Sequence, residues 1–420
     1  MKRNVWQILV VLIAFVLILL KISSSGGTDL TNPYVSCRLI LAGEISHLYA
    51  YDPGSFNYVS DPVRSNVGTA AGIPLTTALT PYMQTPLWPY VLQPLCGSMN
   101  FPAFNAVFGV FIAICFAALI WLTGRHWTTR FFQPQWVLLM ALLWIRADPL
   151  RDAMELTQTH VIFLLMSLLA IVLARSKRPV WAGVLLALAA AVKITPGFLV
   201  IYWLLTKQRK AAVSFMVASV AVFAATVLLT GRTATIDYMH SMSRVSHVLL
   251  LSRGNQSFAA WWMGGFYPRG ESLTFRNLPL PAALKVACFV LVLLSTIAGA
   301  YFDRQLEVRG EESIAPYGAV FAMLGATMFT PITWLHYYII LVIPLILILD
   351  EQLRRRSYLL IGLFGMIVAL ASSPNLLRHA GYMHLPVPDL VRGQFYAGLL
   401  TMFALWFIYW RQRGELLQQE

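Results

Sequence analysis

Residues 180–206 read VWAGVLLALAAAVKITPGFLVIYWLLT, an apolar stretch with one lysine, Lys193, near its middle. As a single helix it would bury Lys193 at mid-membrane and place the basic clusters Arg175–Arg178 and Lys207–Lys210 on opposite sides. Pro196 favours a break instead, because the residue before a proline avoids helical geometry. The stretch is then a hairpin whose arms, about 18 Å long each, are too short to cross alone. Its turn is therefore predicted within the membrane, surrounded by protein or by a water-filled cavity.

The composition of the whole chain also indicates a membrane protein. Of 420 residues, 58% are hydrophobic and 12% are charged, whereas charged residues make up about a quarter of a typical soluble domain. A helix needs about 20 apolar residues to cross the hydrocarbon core. Runs near that length are Val5–Leu20, Ala103–Leu122, Ala211–Leu229, Pro281–Ala300 and the shorter Tyr337–Leu349. The predicted fold class is therefore an all-α polytopic membrane protein.

Most of the positive charge lies in short connections and at the termini. The basic clusters are Lys2–Arg3, Arg125 with Arg130, Arg175–Arg178, Lys207–Lys210, Arg304 with Arg309, Arg354–Arg356, and Arg411 with Arg413. Cytoplasmic loops of membrane proteins are rich in Lys and Arg, so placing every cluster inside gives about 12 membrane segments with both termini cytoplasmic. The extracytoplasmic segments are then roughly 22–102, 146–159, 231–279 and 374–393. One membrane domain, 1–420, is predicted, and the net charge of +13 is assigned to cytoplasmic loops and not to nucleic-acid binding.

The long first loop, 22–102, contains two candidate amphipathic helices, at 30–43 and 86–97, which suit the outer membrane face. Cys37 and Cys96 share this loop and can form a disulfide if it is extracytoplasmic, a point that the sequence leaves open. The apolar N-terminal run reads as a retained helix or as a signal peptide. A retained helix is expected, because no small-x-small cleavage site follows it cleanly.

Several polar residues are hard to explain as loop charges and, on this topology, all open to the extracytoplasmic side. They are Asp29, Arg146, Asp148, Arg151, Asp152, Gln158, His160, Lys193, Asn255, Gln256, Trp334 and His336. Ionisable groups at membrane depth are costly and usually mark a pathway or a site. Each also has a plainer explanation: Asp29 can cap the helix that follows it, Lys193 can snorkel to the surface, and His336 can be an interfacial packing residue.

Local motifs recur along nearly the whole chain. They are Asp29 at the head of the first outer loop, followed by Tyr34, Gly43 and Tyr49; TPLWPYVLQPL at 85–95; Gln158 in a turn; AAAVKITP at 189–196; GNQS at 254–257; and TPITWLHY at 330–337. Together they resemble the motifs of the GT-C membrane glycosyltransferases, and more closely those of glycosyltransferase family 87. The chain departs from the family pattern at Leu30 and Pro33, where aromatic residues are usual, and at Thr157–His160.

The resemblance implies a GT-C-like bundle and a metal-independent, inverting transfer of a sugar, with a lean to mannose. The donor would be a polyprenyl-phosphate sugar, the acceptor a hydroxyl of a lipid or glycan, and the place the extracytoplasmic face of the bacterial inner membrane. Asp29 is the matched candidate for the catalytic base, and Lys193 and His336 are expected at the donor phosphate, with Arg146 or Arg151 as further candidates. Sugar or acceptor contacts are expected from Gln158, Asn255, Gln256, Tyr34 and Trp334. Cytoplasmic loops contain no Asp-x-Asp pair of a nucleotide-sugar metal site, so no metal or other cofactor is expected.

A transporter or flippase of lipid-linked or sugar substrates is the main alternative, because it would also have many helices and polar groups near mid-membrane. Transporters often contain two related halves, and the sequence shows no internal repeat. A non-catalytic lipid-binding or scaffold protein is a third alternative. The sequence does not identify the acceptor, the linkage or the oligomeric state.

Overall fold

The computed structural model describes residues 13, 15–17, 20, 26–51, 61–73, 80–131, 133–267, 276–307, 315–372 and 392–417, which are mostly helical. The helices, in chain order, are α1 (Thr31–Leu41), α2 (Pro62–Ala70), α3 (Leu87–Val91), α4 (Gln93–Ser98), α5 (Phe101–Trp127), α6 (Pro134–Arg146), α7 (Asp148–Glu155), α8 (His160–Arg175), α9 (Pro179–Val192), α10 (Leu199–Leu205), α11 (Arg209–Thr230), α12 (Arg232–Val245), α13 (Phe258–Gly264), α14 (Ala282–Glu307), α15 (Tyr317–Met328), α16 (Val342–Arg355), α17 (Tyr358–Ala371) and α18 (Gly393–Leu417). Single-turn and slightly longer 3-10 helices lie at Ile45–His47, Thr195–Phe198 and Leu335–Leu341. Strands β1 (Val248–Leu251) and β2 (Arg276–Pro279) pair antiparallel, a small hairpin that the all-α prediction did not include.

Four helices in the described ranges are long and apolar enough to cross a membrane. They are Phe101–Trp127, Arg209–Thr230, Ala282–Leu306 and Leu335–Arg355, and they contain the four apolar runs predicted beyond residue 100. A fifth crossing results if α7 and α8, bent by 119° at their junction, count as one. Most of the predicted run Val5–Leu20, and nearly all of the predicted loop 374–393, lie outside the described residues.

The expected number of about 12 membrane segments is not confirmed. Several further apolar helices are short: α9 and α17 have 14 residues each. At 1.5 Å per residue such a helix is about 21 Å long, less than the roughly 30 Å of a hydrocarbon core. A straight helix of this length therefore does not span the hydrocarbon core by itself.

The helical structure around Lys193 is interrupted just before Pro196, as the sequence predicts. After α9 the backbone of Lys193 is extended (φ −144°, ψ 118°), and a 3-10 turn leads into α10. The Ser214 hydroxyl of α11 donates a hydrogen bond to the carbonyl of Val180 at the start of α9 (2.8 Å), and α10 joins α11 through a three-residue turn. The first turn of α9 and the end of α10 therefore both lie beside the start of α11, and Lys193 lies at the far end of the hairpin.

Two buried carboxylates connect helices that are distant in the sequence. Asp303 of α14 accepts hydrogen bonds from the first N–H groups of α15 (3.0 and 3.1 Å) and from the Tyr202 hydroxyl of α10 (2.5 Å). Asp350 of α16 accepts the N–H groups of residues 129–131, directly after α5 (2.6 to 3.1 Å). The first N–H groups of a helix have no partner within it, and the N–H groups of residues 129–131 lie in the connection between α5 and α6, outside any helix. Burying either kind of N–H group unpaired is costly. These carboxylates therefore hold the helix ends in place.

The first loop folds against the bundle and is cross-linked. Both predicted helices are present, the first as α1 and the second as the pair α3 and α4. A disulfide between Cys37 of α1 and Cys96 of α4 connects them. The loop also contains α2, which the sequence analysis did not predict and whose first turn is capped by the Asp61 carboxylate (2.9 Å to the N–H of Val63).

Breaking the Cys37–Cys96 bond is expected to lower the melting temperature while leaving the helical bundle folded. The bond closes a loop between positions 59 residues apart, and a cross-link of this kind typically contributes about 2–4 kcal/mol. The Cys37→Ser/Cys96→Ser double variant is compared with wild type by thermal unfolding in detergent. Cys115→Ala, which removes a free thiol, is the control. Equal melting temperatures, or a non-reducing peptide map with both thiols free, would contradict the expectation.

Candidate active site

A cavity of about 1020 Å³ lies where the first loop meets the ends of several helices. Its lining comes from the turn before α1, residues 80–84, the turn between α7 and α8, the Lys193 turn, the end of α12, residues 252–254, α14 and residues 329–337. Six of the residues singled out by sequence line it: Asp29, Asp152, Gln158, Lys193, Trp334 and His336. We refer to this space as the large cavity.

Asp29 is positioned by contacts between two turns that are far apart in the sequence. Its backbone N–H donates to the carbonyl of Leu156, in the turn after α7 (3.3 Å). Asn105 of α5 lies between the two turns, since its side-chain oxygen accepts a hydrogen bond from the Thr157 hydroxyl (2.8 Å) and a Cβ added to Gly27 would lie 2.0 Å from the same oxygen. Gly27 has φ +60° and Thr157 φ +52°, a conformation that glycine adopts freely and other residues rarely. The packing around Asn105 thus fixes the place of Asp29.

The Asp29 carboxylate faces the large cavity. Its Oδ2 accepts a hydrogen bond from Nε2 of Gln158. The capping explanation does not apply, because the N-cap residue of α1 is Leu30 and no side chain caps that helix. Asp29 therefore has a polar partner from the α7–α8 turn, and not from the helix that follows it.

Burial raises the pKa of Asp29 above its ordinary value, because surroundings of low dielectric disfavour the charged form. The positive charge of His336 lowers the pKa, the negative charge of Asp152 raises it, and the Gln158 hydrogen bond and Lys193 lower it. Asp29 lies outside the helices that can cross the membrane. A carboxylate with a raised pKa is a stronger base once it is ionised.

Lys193 and His336 form the basic side of the large cavity. The Lys193 ammonium lies 3.0 Å from the centroid of the Tyr337 ring, a cation–π contact, and that ring stacks on His160 (4.6 Å between centroids). Lys193 therefore points into the protein and does not snorkel to a surface. The His336 ring, 4% exposed, has Nδ1 at 3.1 Å from Oδ2 of Asp152. Such a pairing fixes the orientation of an imidazole ring.

Two further cations, Arg253 and Lys285, line the same cavity and were not singled out by the sequence. Arg253 follows β1, and Lys285 lies in the first turn of α14, where it donates to the Ser246 hydroxyl (3.0 Å). The β1–β2 hairpin and a bond from the N–H of Leu280 to the carbonyl of His247 (2.8 Å) bring these segments together. In the sequence both look like ordinary charges at segment ends. Only the motif GNQS, directly after Arg253, indicated a functional segment at this point of the sequence.

One wall of the large cavity is apolar and open to the outside of the bundle. Ile194 and Phe289 both line the cavity, yet their side chains are 62% and 56% exposed. Phe289 lies on α14, one of the helices that can cross a membrane. Apolar side chains exposed on such a helix face the lipid.

Asn255 and Gln256 lie outside the lining and are fully buried. The Asn255 amide donates to the carbonyls of Leu250 (2.8 Å) and Pro331 (3.2 Å), and its oxygen accepts the N–H of Thr333 (2.8 Å). The Gln256 side chain donates to the carbonyl of residue 253 (2.8 Å). The Asn255 side chain therefore joins the motif GNQS to the motif TPITWLHY, which carries His336. The backbone of Gln256 joins the same two motifs, because its N–H donates to the carbonyl of Thr333 (2.6 Å).

Two other predicted residues, Tyr34 and Arg151, do not line the large cavity. Tyr34 is buried beside α5 and donates its hydroxyl to a backbone carbonyl (2.8 Å). Arg151 lies near Asp148 (3.7 Å) and Glu155 (3.5 Å) on its own helix. The side chain of Arg146 lies outside the described residues. Across the residues that the structure describes, no three His, Cys, Asp or Glu side chains are grouped so as to hold a metal ion.

Comparison with known families agrees with the motifs. The sequence profile of glycosyltransferase family 87 matches residues 82–324, more than half of the chain. The chain belongs to glycosyltransferase family 87. The resemblance read from the motifs is thereby confirmed, and the matched range includes Gln158 and Lys193 of the large cavity. Asp29 and His336 lie outside that range.

Two mycobacterial relatives of this family 87 protein have names that state a reaction. A polyprenol-phosphate-mannose-dependent alpha-(1-2)-phosphatidylinositol pentamannoside mannosyltransferase from Mycobacterium tuberculosis (strain CDC 1551 / Oshkosh) is 25% identical over 248 residues, 57% of this chain and 53% of that protein. The protein of the same name from Mycolicibacterium smegmatis (strain ATCC 700084 / mc(2)155) is 27% identical over 352 residues, 78% of each chain. The match thus spans about half the length of the first relative.

Asn255→Ala is expected to lower the melting temperature strongly, because the carbonyl of Leu250 and the N–H groups of Ser257 and Thr333 lose their bonds to the Asn255 side chain. Each buried polar group left unpaired costs about 1–3 kcal/mol. Thermal unfolding in detergent is compared with that of Gln135→Ala, whose exposed side chain bonds only locally to Gln133. An unchanged melting temperature together with lost activity would contradict this structural role and would support the sugar contact predicted from the motif.

Proposed function

We propose that this protein is an inverting glycosyltransferase that moves mannose from a polyprenyl-phosphate donor to a hydroxyl of a lipid-linked or glycan acceptor. One observation carries the proposal: the large cavity brings a partly buried carboxylate, Asp29, together with the basic side chains of Lys193 and His336. Transfer from a lipid phosphate needs a base for the acceptor hydroxyl and positive charge for the leaving group. Both lie within this one space.

The mycobacterial relatives support the donor class and the type of acceptor. Their names state dependence on polyprenol-phosphate-mannose and an acceptor that is a phosphatidylinositol mannoside. We therefore propose that this chain uses a lipid-linked mannose donor and an acceptor carried by a lipid or a glycan. An apolar wall exposed to the membrane suits substrates whose tails remain in lipid.

In the proposed step, an acceptor oxygen attacks the anomeric carbon from the side opposite the phosphate. Asp29 accepts the proton of the acceptor hydroxyl as the new C–O bond forms. The bond between the anomeric carbon and the phosphate oxygen breaks, and its electron pair stays with the phosphate. The products are the glycosylated acceptor, polyprenyl phosphate and a protonated Asp29, which then returns its proton to water. Attack from the opposite side inverts the anomeric configuration.

Lys193 and His336 stabilise the departing phosphate, which gains negative charge as its bond breaks. Charge-assisted hydrogen bonds to phosphate are about twice as strong as neutral ones. The contact with Tyr337 holds the Lys193 ammonium inside the protein, and Asp152 holds the His336 ring. Gln158 orients the Asp29 carboxylate, and Trp334 lines the wall where the sugar would lie. Because these side chains supply the positive charge, metal-independent transfer is part of the proposal.

The reaction is placed on the extracytoplasmic side of a bacterial inner membrane, with both termini in the cytoplasm. Disulfides persist in oxidising compartments and are rare in the cytosol. The Cys37–Cys96 bond cross-links the same loop segment that carries Asp29. This bond supports an extracytoplasmic first loop, and the large cavity opens beside that loop.

Asp29→Asn is expected to abolish mannose transfer while preserving folding and donor binding, because the amide keeps the shape of the side chain but cannot accept the proton. Loss of a general base typically lowers the rate by about 10²–10⁴-fold. Transfer of radiolabelled mannose from polyprenyl-phosphate-mannose to membrane lipid acceptors is the measurement. Glu155→Gln, a half-exposed carboxylate outside the lining, is the matched control. Near-normal turnover by Asp29→Asn would remove Asp29 from the role of base.

The pH dependence of kcat/KM is expected to show an acidic limb above pH 3.8, the ordinary pKa of an aspartate, because burial raises the pKa of Asp29. Activity needs the ionised carboxylate, so it falls as the pH drops through this raised pKa. The Gln158 hydrogen bond lowers the pKa, so Gln158→Ala is expected to move the limb to still higher pH. Gln84→Ala, which removes another cavity amide that bonds to Thr159 and not to Asp29, is the control. A limb that moves to lower pH in Gln158→Ala would contradict this assignment.

A further inference from the structure

The helix α12 separates the large cavity from a second one. Met242 and Val245 line the large cavity, whereas Asp237, Ser241 and Arg244 line the second. Residues three or four positions apart share one face of a helix. Positions 237, 241 and 244 therefore lie on one face of α12, and positions 242 and 245 lie on another.

The second cavity has a volume of about 510 Å³. Its other wall comes from Ser46 and Tyr49, at and just after the 3-10 helix Ile45–His47. A volume of this size lies within the range of about 300–1,000 Å³ that is usual for small-molecule sites. The space is therefore large enough for a bound molecule and is formed by two separate parts of the chain.

The polar groups of the second cavity suit a neutral ligand with many hydroxyl groups. The lining combines the Asp237 carboxylate, the Arg244 guanidinium, the His240 ring and serine hydroxyls. Arg244 donates to the Ser241 hydroxyl (3.5 Å), and within the described residues neither Asp237 nor His240 has a hydrogen-bond partner. A carboxylate that accepts and a guanidinium that donates can both bind hydroxyl groups. Because the carboxylate of Asp237 balances the guanidinium of Arg244, the second cavity favours a neutral polyol over a phosphate. The large cavity, where a phosphate is proposed to bind, differs in this respect.

The two cavities share one wall of tyrosine side chains. The Tyr49 ring, which lines the second cavity, packs against the Tyr82 ring (5.8 Å between centroids), and Tyr82 lines the large cavity. The Tyr49 hydroxyl donates to the carbonyl of Gln84 (2.6 Å), another residue of the large cavity. The two linings are also adjacent at the end of α12, where Ser243 and Arg244 line the second cavity and Val245 and Ser246 line the large one. A molecule of several linked rings that reacts in the large cavity can therefore reach the second cavity around this end of the helix.

We propose that the second cavity binds a neutral saccharide, namely the sugar units of the acceptor that lie remote from the hydroxyl receiving the transferred sugar. The inference rests on the proposed function for the reaction itself. It narrows the acceptor to glycans of several sugar units, and it makes Asp237 and Arg244 determinants of acceptor length.

The test compares two synthetic acceptors with the same diacylglycerol anchor, one with a single α-mannose and one with four. For each, kcat/KM is measured on the full-length protein in nanodiscs with polyprenyl-phosphate-mannose as donor. Wild type is expected to prefer the tetramannoside, and Asp237→Ala and Arg244→Ala are each expected to lower this preference about tenfold, a typical effect of losing a hydrogen bond to a charged group. Arg232→Ala, an exposed position of the same helix outside both linings, is expected to keep the wild-type preference.

A binding measurement separates this proposal from the proposed reaction. Free mannotetraose is titrated calorimetrically into wild type and both variants, with saturable binding expected only in wild type. If wild type transfers no mannose but binds mannotetraose in this pattern, the reaction is wrong and the saccharide site stands. Three outcomes would each overturn the saccharide site. The first is an unchanged acceptor preference in both variants, and the second is an equal loss of kcat/KM with both acceptors. The third is displacement of mannotetraose by inositol 1-phosphate at a lower concentration than that of mannotetraose.

Discussion

The position of Asp29 depends on one asparagine in a membrane helix. Asn105 of α5 accepts a hydrogen bond from Thr157 and leaves no room for a side chain at Gly27, so it holds together the two turns that meet at Asp29. A carboxylate buried away from water would normally take up a proton or move outward. Here the backbone bond to Leu156 and the Gln158 amide keep it in place. Its chemistry is thus set by a helix that contributes no side chain to the cavity lining.

The cavity itself results from helices that stop short. The hairpin of α9 and α10 ends at Lys193, and α7 meets α8 at an angle of 119°, so two turns come together inside the bundle. Turn residues leave backbone groups without helical partners, and in lipid such groups are tolerated only beside protein or water. The Tyr337 ring and the 3-10 helix that carries it cover the Lys193 turn. The same breaks that weaken the helices as membrane spans supply the polar surface that a reaction needs.

The sequence predicted which ionisable residues lie together better than how the helices bring them together. Asp29, Lys193 and His336 were grouped because charge at membrane depth is costly, and they do line one cavity. The number of membrane segments could not be read in the same way, since helices of 14 residues such as α9 fit neither a crossing nor a loop. The amides of Asn255 and Gln256 were expected at the sugar because residue type does not reveal whether an amide faces a cavity or the backbone. The sequence did not indicate Arg253 and Lys285, because the strands β1 and β2 that bring them together are separated by a long segment of the chain.

The exposed apolar wall has a practical consequence for work on the purified protein. Ile194 and Phe289 belong to the lining and to the outer surface of the bundle, so the opening beside them admits any hydrocarbon chain at the protein's perimeter. A detergent micelle surrounds that perimeter with short tails at high local concentration, and these tails compete with any hydrocarbon part of a molecule that binds in the large cavity. Apparent Michaelis constants will therefore vary with the detergent-to-protein ratio. Values obtained in a bilayer are the ones that describe the protein's own preference.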